Sequence, residues 1–369
     1  MEINEFKDKQ AAGTLTRRDI GKAMAAVGLA TVAYPVAGGK ALAQDDQALS
    51  FTWAGYDIPE LYQSYEMKNG APPDYAIYAD EYEAFQKVMS GFQPDLVHPC
   101  SPLVPQWRDA GLIQAIDTSR LEQWSNVFPA LTTLPGTQFD GEQWFMPFGW
   151  GRTSVTYRTD LVEWDEEDSY GLLWDERYAG QMAVFDSVDE TVFTAAIYAG
   201  VDPCNMSDDE LDLVMDLLAE QKKLMRFYAV SQSDITQAMA AGEIVAALTW
   251  DSGVAELKAQ GLPVRMMLPK EGVETWCCGM VLMKNAPHED KAYDLLNSML
   301  SPESGEFLVS EYGIGHSNSA SFDNIGDNRL AELQLPRDPT ELLDSGVMYC
   351  KFRDKDTVIE RFETMKAGF

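Results

Sequence analysis

FTWAGYDIPELY, residues 51–62, closes an apolar run at Trp53 and then turns, with Gly55, Tyr56 and Pro59 in quick succession. An apolar run stopped by glycine and proline predicts a buried strand passing into a loop. The pattern continues outward from there. EYEAFQKVMSG (81–91) reads as a helix, PDLVHP (94–99) as a short strand ending at Cys100 and Ser101, and PLVPQWRDAGLIQAID (102–117) as a segment closing in a second helix. This βαβ rhythm implies a parallel sheet with helices on both faces, an α/β fold. In such sheets ligands bind beyond the carboxyl ends of the strands, where Trp53, Tyr56, Cys100 and Ser101 would stand.

WFMPFGWGRTSVTYRTD (144–160) predicts a long strand with Pro147, Gly149 and Gly151 inside it, suited to a crossing between domains where the backbone must bend. AVFDSVDETVFTAAIYAG (183–200) then predicts a strand and a helix starting near Thr191, capped from DSVDE. The strand IVAALTW (244–250) ends in Trp250, followed by Asp251. Trp276 heads a second crossing strand, helices follow from about His288 to Leu300 and up to Tyr312, and DTVIERFETMKAG (356–368) closes the chain.

At 369 residues the chain has the length of two domains. Its 28 basic and 59 acidic side chains give a net charge of −31, which excludes nucleic acid and anionic membrane surfaces as partners. Residues 1–43 read as an export signal: Thr16-Arg17-Arg18 precedes a mildly apolar run from Ala23 to Ala37, and Ala41-Leu42-Ala43 gives a small-x-small cleavage site. The start resembles a twin-arginine signal, so a periplasmic location is expected. None of the five cysteines has zinc-ligand spacing, and one disulfide among them is open without a choice of partners. No cofactor is expected.

Trp53, Tyr56, Trp250, Trp276 and Tyr312 each stand at the end or start of an apolar element beside a glycine or a loop. Each could be packed under a loop, but together they could line a cleft. Aromatic faces bind cations at about 0.5–2 kcal/mol each, and a micromolar ligand needs about 8 kcal/mol. Asp251, Asp189 and Glu190 are the carboxylates nearest those loops, and a solvated face or a helix cap is the alternative use of each.

FTWAGYDIP, PDLVHPCS, MPFGWGRTSVTYRTD, AALTWD and above all LPKEGVETWCCGMVLMKNAPHEDKAYDLLNSMLSPE (268–303) resemble the periplasmic spermidine/putrescine-binding proteins of ABC importers, from about residue 50 onward. The resemblance implies a two-lobed periplasmic binding protein fold of type II. One lobe would hold 44–152 and 276–318, the other 153–275 and 319–369, with a polyamine or other organic cation between them and an inner-membrane ABC permease as partner to a monomer. Family contacts carried over fall on Trp53, Tyr56, Cys100, Ser101, Trp250, Trp276 and Tyr312. Two departures concern carboxylates: Thr191 stands where polyamine binders place a glutamate, and Cys278 where an aspartate is usual. Asp189, Glu190 or Asp251 would have to compensate. Arg152, on the crossing strand, is a third departure. It would either hold the anionic group of a zwitterionic amine or form a surface or interlobe salt bridge. The rival class is an enzyme with Cys278 as nucleophile and His316 as base, although no catalytic or phosphate-binding motif accompanies them.

Overall fold

The computed structural model describes residues 46–78 and 80–368. The expected export signal at 1–43 lies outside the described residues. β1 (Leu49–Trp53) is central to the first half, flanked in parallel by β2 (Asp74–Tyr78) and β3 (Leu96–Val97), with Phe51 opposite Ala76 and Val97. Its middle residues are buried on both faces, as a parallel strand covered by helices requires. α1 (Pro59–Asn69) starts with proline in its first turn and stops at Gly70, whose φ of 78° lets its N–H reach back to Glu66. α2 (Glu81–Met89) is capped by Asp80, which accepts from the Glu83 N–H.

β4 (Met146–Arg158) is the long crossing strand. Beyond it β5 (Met182–Phe185), β6 (Met225–Ala229) and β7 (Ala246–Trp250) form a second parallel set, and β8 (Glu274–Met283) returns antiparallel to β4. A continuous sheet results, in the order β2-β1-β3-β8-β4-β7-β5-β6. Two parallel βα halves are thus joined through an antiparallel pair. Serine caps position helices of the second half: Ser207 and Glu210 close a capping box on α3 (Asp208–Lys222), and Ser231 with Asp234 does so on α4 (Gln232–Ala240).

Buried apolar side chains separate into two cores. One gathers Phe51, Leu61, Trp107, Phe148, Trp150, Leu295 and Leu308. The other gathers Val155, Tyr170, Phe193, Leu218, Leu248 and Phe362. β4 therefore changes core between Trp150 and Val155, and residues 151–154 are its crossing point. Gly151 is needed there, because a Cβ would meet the Trp276 ring at 2.6 Å. The expected lobe division gave all of 319–369 to the second lobe. Phe322, Ile325, Leu330, Leu333, Leu335 and Leu342 instead belong to the first core, where Phe322 stacks on Trp150 with ring centroids 6.4 Å apart. The chain rejoins the second core at Tyr349, Phe352 and the closing helix, α5 (Lys355–Ala367).

Two disulfides are present, Cys100–Cys278 and Cys204–Cys350, and Cys277 is buried and free. The helix expected near Thr191 starts earlier. Ser187 accepts from the Asp189 N–H, and Val188–Val192 make a π-helical turn before the α-helical residues 193–198. Among the described residues no helix is long and apolar enough to cross a membrane.

Candidate functional site

Three of the five rings meet on the first core. The Trp53 indole donates to the His98 carbonyl at 3.0 Å and lies 4.6 Å from the Tyr78 ring. Tyr56 packs edge-on to His98, Phe148 and Tyr312, at 4.8, 6.0 and 6.5 Å. Tyr312, at the end of the helix Pro302–Tyr312, donates to the Gly55 carbonyl at 2.9 Å and so holds the loop after β1. Burial keeps His98 neutral, its pKa pushed down to about 3. Trp250 is elsewhere, stacked on Phe185 at 5.0 Å against the second core. Trp276 alone of the five packs against both cores, and its indole N–H is buried without a partner. The five rings are thus partly buried at the margins of the two cores, three on the first, Trp250 on the second and Trp276 on both.

Arg152 and Asp251 occupy the crossing point together. The Asp251 carboxylate accepts from the Arg152 backbone N–H at 2.6 Å and from its guanidinium Nε at 3.0 Å, and Nη2 closes the pair. Both side chains are almost wholly buried, 2% and 1% exposed. The arrangement is a buried salt bridge in which the two charges are already paired with each other. Thr191 is likewise engaged, its hydroxyl donating to the Phe185 carbonyl at 2.6 Å. Ser101 is buried at the start of a single 3₁₀ turn, Ser101–Leu103. Cys100 and Cys278 hold each other in a disulfide, so they offer no separate thiols and Cys278 has none with which to act as a nucleophile. His316 is fully buried, its ring nitrogens taken by Ser321 and the Met299 carbonyl.

The chemistry that remains is acidic, and four carboxylates supply it. Asp189 and Glu190 come from the π-turn of the second half, Glu274 from the first residue of β8, and Glu81 from the first residue of α2. Glu274 is 2% exposed. The Tyr170 hydroxyl fixes its backbone by accepting from the Glu274 N–H at 3.0 Å and donating to the Thr153 carbonyl at 3.1 Å. Asp189 Oδ1, Glu190 Oε2 and Glu274 Oε2 are all buried without a hydrogen-bond partner. Burial pushes the Glu81 pKa up to about 8, partly offset by the Cys100 N–H that the carboxylate accepts. Burial, then the neighbouring Asp189, lifts Glu190 to about 7. Burial, then Glu190 and Asp189, raises Glu274 well above the carboxylate range. Asp189 acts on all three, and Glu190 acts on Glu274 as well.

Lys355 is the cation set among them. Its ammonium lies 2.7 Å from Asp189 Oδ2, with Asp80 and Glu81 also acting on it. Burial works against the charge, but Asp189, Asp80 and Glu81 together outweigh it and the Lys355 pKa is raised. Tyr349 borders the same group, its pKa raised by burial and then by Asp189, Glu81 and Glu190.

Glu81, Glu274, Tyr349 and Lys355 escaped the sequence reading. Glu274, two residues before Trp276 on a crossing strand, carried a usable signal, since a carboxylate within a buried strand is expensive without a purpose. Lys355 did not: in RDKDTVIE, a base among acids reads as a solvated face.

The sequence profile described as bacterial extracellular solute-binding protein matches residues 60–324. The spermidine/putrescine-binding periplasmic protein of Escherichia coli (strain K12) is 26% identical over 284 residues, covering 76% of this chain and 80% of its own. The structure of the spermidine/putrescine ABC transporter substrate-binding protein from Streptococcus pneumoniae superposes with a TM-score of 0.74 at 19% identity, over 88% of this chain and 99% of that one. A GABA receptor structure superposes at 0.68 and 16% identity, over 88% and 98%. The two-core arrangement is therefore the two-lobed, type II binding-protein fold.

Proposed function

Because the chain belongs to the bacterial extracellular solute-binding protein family, we propose that it captures a small organic cation at the carboxylate group between its two cores and presents it to the permease of an ABC importer. Its relatives are substrate-binding proteins rather than enzymes, and a named relative binds spermidine and putrescine in the periplasm. One lobe is built on each core, residues 319–342 going with the first, and closure brings Glu81 on one lobe against Asp189 and Glu190 on the other.

The observation that carries this reading is the charge imbalance: four gathered carboxyl groups, each with an unpartnered buried oxygen or a raised pKa, against the one ammonium paired with them among the described residues, that of Lys355. Ions taken from water without a counter-charge cost several kcal/mol each, and an added cation relieves that cost. The half-buried Trp276, two residues after Glu274, and the buried Tyr349, on which Asp189, Glu81 and Glu190 act, offer faces to the carbon chain of an amine. A zwitterion held by Arg152 is disfavoured, because that guanidinium is already committed to Asp251.

The test is ligand-induced thermal stabilisation with putrescine, spermidine and simple amines. A ligand at 100 times its Kd stabilises by about 2.7 kcal/mol. Trp276→Ala should fold and lose at least tenfold in amine affinity. Unchanged affinity in that variant, or no response to any amine, refutes the reading.

A further inference from the structure

Lys355 stands where a helix least favours it. It is the first residue of α5, and the macrodipole there disfavours a cation by about 0.3–1 kcal/mol. Its side chain is only 18% exposed, with the ammonium 2.7 Å from Asp189 Oδ2. Val358, Phe362 and Met365 fasten α5 to the second core, so the ammonium is carried by the scaffold and is not a loose surface group. Asp80 and Glu81 from the opposite half also act on it. An ammonium that links carboxylates of both halves fills the place that one charged end of a diamine would take.

What remains open beside it is specific in number. Asp189 Oδ1, Glu190 Oε2 and Glu274 Oε2 are buried acceptors without donors, and Glu274 is 2% exposed. Asp189 and Glu190 are consecutive residues of one π-turn, and both act electrostatically on Glu274. A primary ammonium has three N–H donors. Three orphan acceptors equal in number the donors of one ammonium head, and the second ammonium of a longer ligand would confront Lys355.

Resting on the amine-binding reading above, we infer that Lys355 is a specificity-determining residue: it occupies one ammonium position, so the site takes an amine with a single primary ammonium and rejects diamines and polyamines. A zwitterion is also rejected, because its carboxylate would enter an acidic site whose one cation is already paired.

The experiment is calorimetric titration of the mature chain with butylamine, putrescine, spermidine and GABA, repeated on K355M and K355Q. Butylamine should bind the wild type at least tenfold more tightly than putrescine or spermidine, with GABA weaker still. Either variant should reverse the order, gaining at least tenfold for putrescine. K355Q keeps a donor for Asp189 and serves if K355M does not fold. Wild-type preference for putrescine, spermidine or GABA overturns the inference without help from the variants, as does an unchanged order in K355M or K355Q. If none of the four ligands binds any of the proteins, the amine-binding reading itself fails.

Discussion

Replacing Glu190 by glutamine should alter how stability depends on pH, with a calculable sign. Folding lifts this carboxyl from its ordinary 4.5 to about 7. Between those values the folded protein holds a proton that the unfolded chain has released, so stability falls as pH rises. One proton gives a slope of about −1.4 kcal/mol per pH unit, and the window gives a total of about 3 kcal/mol. Glu81 and Glu274 act with the same sign. His98 and His316 act oppositely: burial lowers them to about 3 and about 4, so their contribution is present above the ordinary histidine value of 6.5 and is lost on acidification. Absolute curves mix these terms. The difference between wild type and Glu190→Gln isolates the Glu190 term together with its effect on Glu274, because the Glu81 and histidine terms are shared. Urea denaturation from pH 5 to 8 should show the variant gaining about 3 kcal/mol on the wild type as pH rises, nearly all of it below pH 7.5. Saturating amine should shrink that gain, since a bound cation favours the ionised carboxylate. Parallel curves, or a gain toward acid, would refute the assignment of Glu190 as a buried carboxyl waiting for a cation.

Arg152→Met leaves Asp251 charged and buried, and should cost about 3–5 kcal/mol in urea denaturation; adding Asp251→Asn should recover at least half of it, and an equal loss in both variants contradicts the pairing. The Cys204–Cys350 bridge closes a separation of 146 residues, for which loop entropy gives about 5 kcal/mol. Cys204→Ser with Cys350→Ser should lower stability by about 2–5 kcal/mol under oxidising conditions, and no change there, confirmed by thiol titration of the wild type, would show that the bridge does not form.

The alternation of elements was legible because it rests on local rules. Gly55 and Pro59 end the first strand, Ser207 and Ser231 start helices, and the glycines around residue 150 let β4 cross. Trp276 was legible as well, as a ring at the head of a crossing strand. The partnerships were not. Arg152 and Asp251 are 99 residues apart and Cys100 and Cys278 are 178 apart, and a lone residue does not disclose whether its charge or thiol is already taken. Thr191 drew notice as a missing carboxylate, yet the carboxylates come from Glu81, Asp189, Glu190 and Glu274, which converge only through the sheet order. The sequence by itself determined an acidic α/β chain of two parallel halves with aromatic strand ends, since periodicity, capping and charge are properties of neighbours along the backbone. Which of its charges are spent and which remain open was decided by the tertiary structure, because desolvation and pairing depend on distances that only folding sets.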